Sequence, residues 1–283
     1  MKLQLLTVCV NYADFFAQTG AANRGIFDKY VVVTDIQDTE VTALCAEYGF
    51  TCVKTDVFYA NGAKFNKYAG INEGLKLIDA DAWVCFVDSD IVLQKDTRRV
   101  LEKLNLDPTC LYGIDRVNCT GFENWQKYKD SKGVLIENWM LTPAGLELGA
   151  RLVHYYGHHG ENGRFEGWRP LGFFQLCHRS AFDIYPQEEA GGADHCDLLF
   201  SRLWDRSKRF LIPELMSVHL ESESGNNSGI NWHGRKSKPF IPNPPELFER
   251  TVIKVKPSLL RKIGIFLFLC DHKYETISSP CRK

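Results

Sequence analysis

Two aspartates, Asp88 and Asp90, follow a predicted buried strand, Trp83 to Val87. If the extended conformation continues through them, both carboxylates project to the same side and can share one divalent cation. Carboxylate oxygens suit Mg²⁺ or Mn²⁺, and ligands of open α/β sheets bind outside the carboxyl ends of the strands. Asp79 and Asp81 have the same spacing but precede the strand, so position favours Asp88 and Asp90. The alternative is a pair of solvated turn residues.

His219 is the candidate third ligand, because it lies near the end of the last predicted strand, Leu215 to Leu220, and a neutral imidazole can bind Mn²⁺. An ordinary core histidine is an equally good interpretation. A glycine-containing segment follows and carries Trp232, Arg235 and Lys236, which we assign to donor binding. Arg235 and Lys236 are placed to hold phosphate oxygens if this segment closes, with a solvated basic turn as the alternative.

Asp194 and Asp197 flank the start of an amphipathic pattern that predicts a helix from Cys196 to Trp204. The structural interpretation is that Asp194 caps the helix and Asp197 is its partner in the first turn. A base that deprotonates an attacking hydroxyl needs mainly position and an ionised state, which a carboxylate at a helix start can provide. We predict that Asp197 is the base and keep Asp194 as the second candidate.

Composition places the chain among ordinary globular proteins, with 283 residues, 45% hydrophobic and 24% charged. Lys and Arg number 34 against 35 Asp and Glu, so no bulk positive charge exists to hold nucleic acid. The ten cysteines include no Cys-x-x-Cys pair, which favours buried free thiols over zinc or redox sites. We therefore expect a protein of a reducing compartment, the cytoplasm.

The first hundred residues alternate short apolar runs with helical patterns, which predicts parallel strands joined by crossover helices. We expect strands at Leu3 to Val10, Tyr30 to Val33, Thr51 to Val53 and Trp83 to Val87, and helices at Asp38 to Gly49 and from about Ala63 to Ile78. Such a pattern indicates an α/β fold.

After Leu111 the pattern loosens, with a helix expected around Ala144 to Tyr155 and a strand at Leu171 to Cys177. An irregular region of this kind suits substrate binding. Aromatic side chains that can stack on sugar rings or bases occur there, so we expect the acceptor site in this region, with a plain surface loop as the alternative. They are Trp125, Trp139, Tyr155, Tyr156 and Trp168.

A series of segments in this chain order resembles a GT-A fold nucleotide-sugar glycosyltransferase of the family 2 type over about residues 1 to 240. They are Val10-Asn11-Tyr12, Thr34-Asp35, Lys64-Phe65-Asn66-Lys67, Asp88-Ser89-Asp90, Pro170 to Leu176, Asp197 to Arg202, and His219. The resemblance implies an α/β, GT-A-like Rossmann-type fold whose mixed, mostly parallel sheet has helices on both faces.

The resemblance also implies site roles. Asn11, Asp14 and Asp35 would hold the nucleoside, with Asp35 near the base, and Lys64 and Asn66 would approach the ribose or the phosphates. The metal ligands would be Asp88, Asp90 and His219, and the base Asp197. The family often has Glu-Asp at the base position, where this chain has Ala193-Asp194-His195-Cys196-Asp197, so the choice between the two aspartates stays open. The late histidine, the glycine-containing segment and Lys238-Pro239 also resemble retaining family 8 transferases, which leaves the stereochemistry open.

We therefore predict a metal-dependent enzyme that moves a hexose or pentose from a nucleoside diphosphate sugar to an acceptor hydroxyl with inversion. The alternatives are a retaining family 8-like transferase, a nucleotidyltransferase, and a non-catalytic module that binds a glycan through the aromatic side chains. The acceptor is a glycan, a small molecule or a lipid-linked compound. A DNA base stays open as well, although the charge does not indicate it.

We expect a nucleotide-sugar-binding half over 1–110, an acceptor-binding and catalytic half of the same domain over 111–240, and a tail over 241–283 with an apolar helix. The apolar run Ile263 to Cys270 is far shorter than the roughly 20 residues that span a bilayer. We expect the tail to pack on the domain, with peripheral membrane binding as the alternative.

Overall fold

The computed structural model describes residues 1–130, 158–159, 165–166, 170, 172–187, 193, 196–222 and 240–241. The strands are β1 (Leu3–Val8), β2 (Lys29–Asp35), β3 (Thr51–Thr55), β4 (Trp83–Val87), β5 (Ile91–Leu93), β6 (Leu111–Thr120), β7 (His158–His159), β8 (Phe165–Glu166), β9 (Phe174–His178) and β10 (Arg209–Glu221). The helices are α1 (Ala13–Asn23), α2 (Thr39–Tyr48), α3 (Lys67–Leu75), α4 (Thr97–Lys103), α5 (Phe122–Asp130) and α6 (Cys196–Ser201). Short 3₁₀ segments span Val57–Gly62, Arg179–Ala181 and Arg206–Lys208.

Eight of these strands form one mixed sheet in the order β3-β2-β1-β4-β9-β6-β10-β5. β9 and β5 run antiparallel to their neighbours, and the other six strands share one direction. β7 and β8 pair separately. The sheet continues across residue 110, so strands of both predicted halves belong to it. The predicted α/β fold with a mixed, mostly parallel sheet is confirmed.

Alternating side chains of the strands build an apolar core on each face of the sheet. Leu5 and Val32 pack in one core with residues of α1 and α2, whereas Leu6 and Val33 face the other core with residues of α3. Burying each such side chain contributes about 1.5–3 kcal/mol. Gly74 allows α3 to approach closely, because a Cβ there would lie 2.7 Å from side-chain atoms of Leu6 and Val33. Helices therefore cover both faces, as expected.

The helix predicted over Asp38 to Gly49 is confirmed as α2. Asp38 caps its first turn, since the Asp38 Oδ1 accepts a hydrogen bond from the Val41 N–H at 3.0 Å. Gly49 follows the last turn with a φ of 74°, a left-handed conformation that glycine adopts without steric cost. The two signals in the sequence thus mark both ends of the helix.

Other boundaries differ from the expectation. The helix predicted from Ala63 begins at Lys67, because the Asn66 side chain accepts a hydrogen bond from the Ala69 N–H at 3.0 Å and caps it there. The helix predicted to reach Trp204 ends at Ser201. Local apolar spacing continues past both true ends, so it does not locate them.

The region after Leu111 contains more regular structure than its sequence suggests. β6 is a long strand that pairs with β10 over most of its length, and α5 follows it directly. Polar and apolar residues alternate in β6 only from Arg116 to Thr120, and the first half of the strand, Leu111 to Asp115, shows no such alternation. The helix expected around Ala144 to Tyr155 lies outside the described residues.

Helix α1, which the sequence analysis did not predict, holds the turn after β4. The Thr19 hydroxyl donates to the Ser89 carbonyl oxygen at 2.6 Å. One turn later, the Asn23 amide donates to the Ile91 carbonyl oxygen and accepts from the Leu93 N–H, each at 2.9 Å. Asn23 therefore satisfies backbone groups of β5, a strand at the edge of the sheet, and the turn between β4 and β5 is fixed against α1.

No helix in the described ranges combines the length and apolar character needed to cross a membrane. The predicted tail, 241–283, lies outside those ranges from residue 242 onward, and so does its apolar run Ile263 to Cys270. The cysteines within them are all free thiols, and all but Cys52 are buried, as predicted.

Cys52 on β3 differs from the other described thiols. A hydrogen bond from the Cys45 thiol on α2 stabilises its thiolate and lowers the pKa of Cys52 to about 7. We predict that iodoacetamide alkylates Cys52 before the other described cysteines and that the rate rises as the pH passes through about 7, because the thiolate is the nucleophile. Peptide mass spectrometry after brief labelling measures this. Cys45→Ser is the control and should change this pH dependence. Equal labelling of Cys52 and the buried cysteines would contradict the prediction.

Candidate functional site

The predicted site residues that the structure describes meet at one edge of the sheet. Asn11 follows β1, Asp35 ends β2, Asp88 follows β4 and His219 lies near the end of β10. These strands share one direction, so their carboxyl ends lie on the same side. This is where ligands of open α/β sheets bind.

Asp88 forms an ion pair with Lys67, the first residue of α3. The Lys67 Nζ lies 2.5 Å from the Asp88 Oδ1. Burial disfavours the charge on Lys67, but the Asp88 carboxylate outweighs this effect, so the pKa of Lys67 is raised. Burial raises the pKa of Asp88, Lys67 counteracts that effect, and the Asp90 carboxylate adds to it. Lys67 is therefore the cation that favours the ionised form of Asp88.

Asp90 is paired with His219 on β10. The His219 Nε2 lies 3.2 Å from the Asp90 Oδ2, and its Nδ1 lies 3.3 Å from the Glu221 Oε1. Burial alone would lower the pKa of His219, but the Asp90 and Glu221 carboxylates outweigh it and the pKa is raised. Burial likewise opposes ionisation of Asp90, yet His219 holds the pKa of that carboxyl below its usual value.

The expectation that Asp88 and Asp90 continue an extended strand is wrong. β4 ends at Val87, and residues 88–90 turn into β5, where the Ile91 N–H donates to the Asp88 carbonyl oxygen at 3.2 Å. The turn gives each carboxylate its own cationic partner. Asp88 faces Lys67 on α3 and Asp90 faces His219 on β10.

Among the described residues, no three His, Cys, Asp or Glu side chains form a ready set of metal ligands. Asp90 and His219 do converge, and they offer the carboxylate oxygen and imidazole nitrogen that Mn²⁺ accepts. Mg²⁺ and similar ions are usually held by one or two carboxylates, with phosphates and waters as further ligands. The donor set therefore fits a cation whose coordination a bound diphosphate completes.

Asp197 lies in the first turn of α6 and is held by two backbone groups. Its Oδ2 accepts from the Gly172 N–H at 2.7 Å and its Oδ1 from the Leu198 N–H at 2.8 Å. A Cβ at position 172 would lie 2.8 Å from the Asp197 Cβ, so the contact requires glycine. Gly172 also lines a small cavity with Lys67 and Asp88. Asp197 is thus oriented beside the Lys67–Asp88 pair.

Gln175 on β9 fixes α6 to the sheet. Its Nε2 donates to the carbonyl oxygens of Pro170 at 2.9 Å and Asp197 at 3.0 Å, and to the Ser201 Oγ at 3.1 Å. The Tyr185 hydroxyl donates to the Gln175 Oε1 at 3.0 Å. Gln175 is fully buried, so this network explains how a polar side chain is accommodated there. It also sets the position of Asp197.

The residues expected near the nucleoside form a buried polar cluster at the ends of β1 and β2. Asn11 has a φ of 57°, a left-handed conformation that asparagine tolerates, and its N–H donates to the Asp38 Oδ2 at 2.8 Å. Asp35 accepts from the Gln37 N–H at 2.9 Å. Burial raises the pKa of Asp38, against the effect of its backbone hydrogen bonds. The structure thus brings Asn11 and Asp35 together and adds Asp38.

The remaining described candidates lie close to this edge with partners of their own. The Asp14 Oδ2 accepts from the Phe240 N–H at 2.7 Å, which anchors residues 240–241 on α1. Asn66 caps α3, and the half-buried Lys64 lies just before it. Nucleotide contacts of Asp14, Lys64 and Asn66 stay predictions.

Several predicted residues fall outside the described ranges, namely Asp194, Trp139, Tyr155, Tyr156, Trp168, Trp232, Arg235 and Lys236. Trp125 is described, and its proposed role as an exposed stacking surface is wrong. It is 1% exposed, its indole N–H donates to the Gln18 Oε1 at 3.1 Å, and its ring stacks on Tyr128. Trp125 is a core residue that fastens α5 to α1.

Sequence analysis assigned no role to two cations near this edge. Lys67 stands inside a quoted segment, Lys64-Phe65-Asn66-Lys67, and its position directly after a helix cap was the available signal. Arg116 lies on β6, a strand that was not predicted, so no signal in the sequence placed it beside His219.

No protein-family model matches the chain, and no curated protein does. Solved structures show a distant similarity. A crystal structure of a mycobacterial protein is 13% identical with a TM-score of 0.40, covering 77% of this chain and 67% of that one. Glucosyl-3-phosphoglycerate synthase from Mycobacterium tuberculosis with Mn²⁺, UDP-glucose and phosphoglyceric acid is 12% identical with a TM-score of 0.39, covering 77% and 71%. Mannosyl-3-phosphoglycerate synthase from Rubrobacter xylanophilus is 14% identical with a TM-score of 0.32, covering 41% and 40%. Similarity at this level assigns neither substrate nor activity to this chain.

Replacing Lys67 by Met tests the ion pair. We expect the pKa of Asp88 to rise further in this variant, because burial and the Asp90 carboxylate remain while the opposing cation is gone. Carboxyl-carbon NMR titration of protein labelled at aspartate measures the shift. Lys76→Met is the matched control, since the Lys76 amine pairs with Glu73 on the surface of the same helix. An Asp88 pKa that is the same in Lys67→Met and wild type would contradict the assignment.

Proposed function

We propose that this protein is a metal-dependent glycosyltransferase that moves a sugar from a nucleoside diphosphate sugar to an acceptor hydroxyl. The observation that carries the proposal is the pairing of Lys67 with Asp88 and of His219 with Asp90 in one turn at the carboxyl edge of the sheet. The two carboxylates and the two basic side chains held there can give up their contacts with each other and bind a cation and a diphosphate instead. Lys67 and Asp88 also line a small cavity together with Gly172, whose N–H binds the Asp197 carboxylate.

Strand order supports the placement of the donor. Asn11, Asp35 and Asp38 lie at the ends of the adjacent strands β1 and β2, and Asp88 follows β4 on the other side of β1. A nucleoside at the β1–β2 cluster therefore directs its diphosphate toward Asp88 and Asp90. The sugar then lies farther along, near Asp197.

A divalent cation held by Asp90 and His219, with Asp88 nearby, would neutralise the charge of the diphosphate leaving group. His219 would hold a metal only as a neutral imidazole, so any proton on the ring would have to be released when the cation binds. Lys67 meanwhile stays charged beside Asp88 and is available to a phosphate oxygen. Arg235 and Lys236 are proposed to add further positive charge at the diphosphate.

Asp197 is proposed to accept the proton of the acceptor hydroxyl as that oxygen attacks the anomeric carbon. Hydrogen bonds from the Gly172 and Leu198 N–H groups hold the carboxylate in one orientation, which a positioned base requires. Attack assisted by one base in a single displacement inverts the anomeric configuration. NMR analysis of the product anomer tests this, and a retained configuration would reverse the stereochemical assignment.

The donor can be identified by thermal-shift measurements with a panel of nucleoside diphosphate sugars in the presence of Mn²⁺. A ligand that binds only the folded protein raises its melting temperature by mass action. Turnover of the stabilising donor then tests the reaction itself. Failure of every donor in both assays would refute the proposed function.

Replacing Asp88 or Asp90 by Asn should abolish turnover of the donor, because each change removes charge at the site. The protein should still fold, since no core volume is lost, but with a lower melting temperature because Lys67 or His219 loses its carboxylate partner. His219→Ala should cost less, since carboxylates and the diphosphate still hold the ion. Activity assays with and without EDTA measure these effects, and circular dichroism checks the fold. Full activity in EDTA would contradict the role of the metal.

Asp197→Asn should lower kcat by about 10²-fold to 10⁴-fold and leave the affinity for the donor nearly unchanged, since a general base acts in the transition state. Steady-state kinetics together with calorimetric titration of the donor separate the two quantities. Asp205→Asn, on the polypeptide just after α6, is the control and should behave as wild type. Unchanged kcat in Asp197→Asn, with a loss in Asp194→Asn, would move the base to Asp194.

A further inference from the structure

Arg116 on β6 carries a guanidinium group that has no hydrogen-bonding partner within the described part of the chain. Its Nε is buried and unpaired. The guanidinium carbon lies over the Phe173 ring, 4.7 Å from the centroid, in a cation–π contact that uses none of its N–H donors. A buried donor without a partner is costly, so such groups in folded proteins usually meet a ligand, an ion or water.

The surroundings of Arg116 are those of a binding surface. Arg116 pairs in register with Ser217, and two residues farther along both strands Asn118 pairs with His219. Paired residues of parallel strands point to the same side, so these polar side chains share one face. The intervening residues Val117 and Val218 belong to the apolar core. Arg116 therefore extends the polar surface around His219 toward the middle of the sheet.

The acids near Arg116 do not use its donors. Asp90 and Glu221 lie within electrostatic range of its charge, but both carboxylates are paired with His219 instead. Among the residues that the structure describes, Arg116 forms no ion pair. Its N–H groups are thus left for an anion from outside the protein.

Strand order separates Arg116 from the proposed position of the nucleotide. The nucleoside cluster lies at β1 and β2 and the diphosphate position at β4, whereas β6 lies two strands beyond β4, on the far side of β9. Phe173, which Arg116 lies over, immediately follows Gly172, the residue that binds the Asp197 carboxylate. Arg116 is therefore separated from the proposed nucleotide position by β9 and lies on the side where the acceptor would bind.

We propose that Arg116 binds an anionic group, a phosphate or a carboxylate, on the acceptor, so that the enzyme selects acceptors that carry a negative charge near the attacking hydroxyl. The identification of the bound molecule as the acceptor rests on the proposed function, whereas the anion site itself does not depend on it. A guanidinium is planar and presents its N–H donors in a fork geometry that both anions match.

Anion binding can be measured without any turnover. Inorganic phosphate and acetate are titrated into wild type and Arg116→Gln, with a nucleoside diphosphate present to fill the donor position, and binding is followed by calorimetry and thermal shift. We expect Arg116→Gln to weaken binding of the preferred anion about tenfold to a hundredfold. Arg116→Lys keeps the charge but not the fork and should fall between the two. The tighter of the two anions identifies the acceptor group as phosphate or carboxylate.

Arg179→Gln is the matched control. Arg179 also stacks on a phenylalanine, Phe182, 4.8 Å from the centroid, but it donates to the carbonyl oxygens of Phe182 and Asp183 and lies at the opposite edge of the sheet. It should leave anion affinity unchanged. Equal anion affinity in wild type and Arg116→Gln would overturn the inference, as would anion binding that disappears once the nucleoside diphosphate is bound.

A second assay separates this inference from the proposed function. Glycerol phosphate, glycerate and glycerol are compared as acceptors for the donor found by thermal shift. We expect wild type to prefer a charged acceptor by at least about tenfold and Arg116→Gln to lose that preference while it still hydrolyses the donor. Equal use of charged and neutral acceptors by wild type would refute the inference alone. Absence of donor turnover by wild type would refute the proposed function, and the anion titration would still decide the role of Arg116.

Discussion

The need to pair charges that are wholly or partly removed from water organises the carboxyl edge of the sheet. Isolated buried charges are too costly to persist, so each acid there has a cationic or backbone partner. Asp88 is paired with Lys67 and Asp90 with His219, which joins α3 and β10 to the turn between β4 and β5. A cation or a phosphate could replace the internal partner in each pair. The same arrangement therefore stabilises the fold without ligand and is suited to bind the ligand.

Close approach of the backbone makes this arrangement possible. Gly74 brings α3, and with it Lys67, against β1 and β2, and Gly172 lets the Asp197 carboxylate reach a backbone N–H. Gln175 and the Asn23 amide satisfy buried polar groups that would otherwise destabilise the adjoining segments. Packing and polar satisfaction therefore hold the proposed base and the paired aspartates within one rigid framework.

The strand order determines which polar groups are neighbours along the carboxyl edge of the sheet. Polar groups suited to a nucleoside stand at β1 and β2, and paired charges suited to a diphosphate follow β4. On β6 stands a guanidinium that no residue in the described ranges pairs with. The position of Asp197, beside β9 and between these groups, is what a base acting between donor and acceptor requires. The proposed chemistry thus depends on the spatial order of the charged groups along the edge of the sheet, and no single residue would be sufficient for it.

Local patterns in the sequence determined the α/β class, the strands β1 to β4, helix α2 with both of its ends, and the placement of Asp35, Asp88 and His219 at one sheet edge. These follow from periodicity, capping residues and the rule that parallel strands end together. The tertiary structure alone decided that Asp88 pairs with Lys67, that Asp90 pairs with His219, that Trp125 is buried and that Arg116 lies over Phe173 without a hydrogen-bonding partner among the described residues. Each of these depends on contacts between residues far apart in the chain, and neither residue type nor spacing encodes which charges will meet when the sheet assembles.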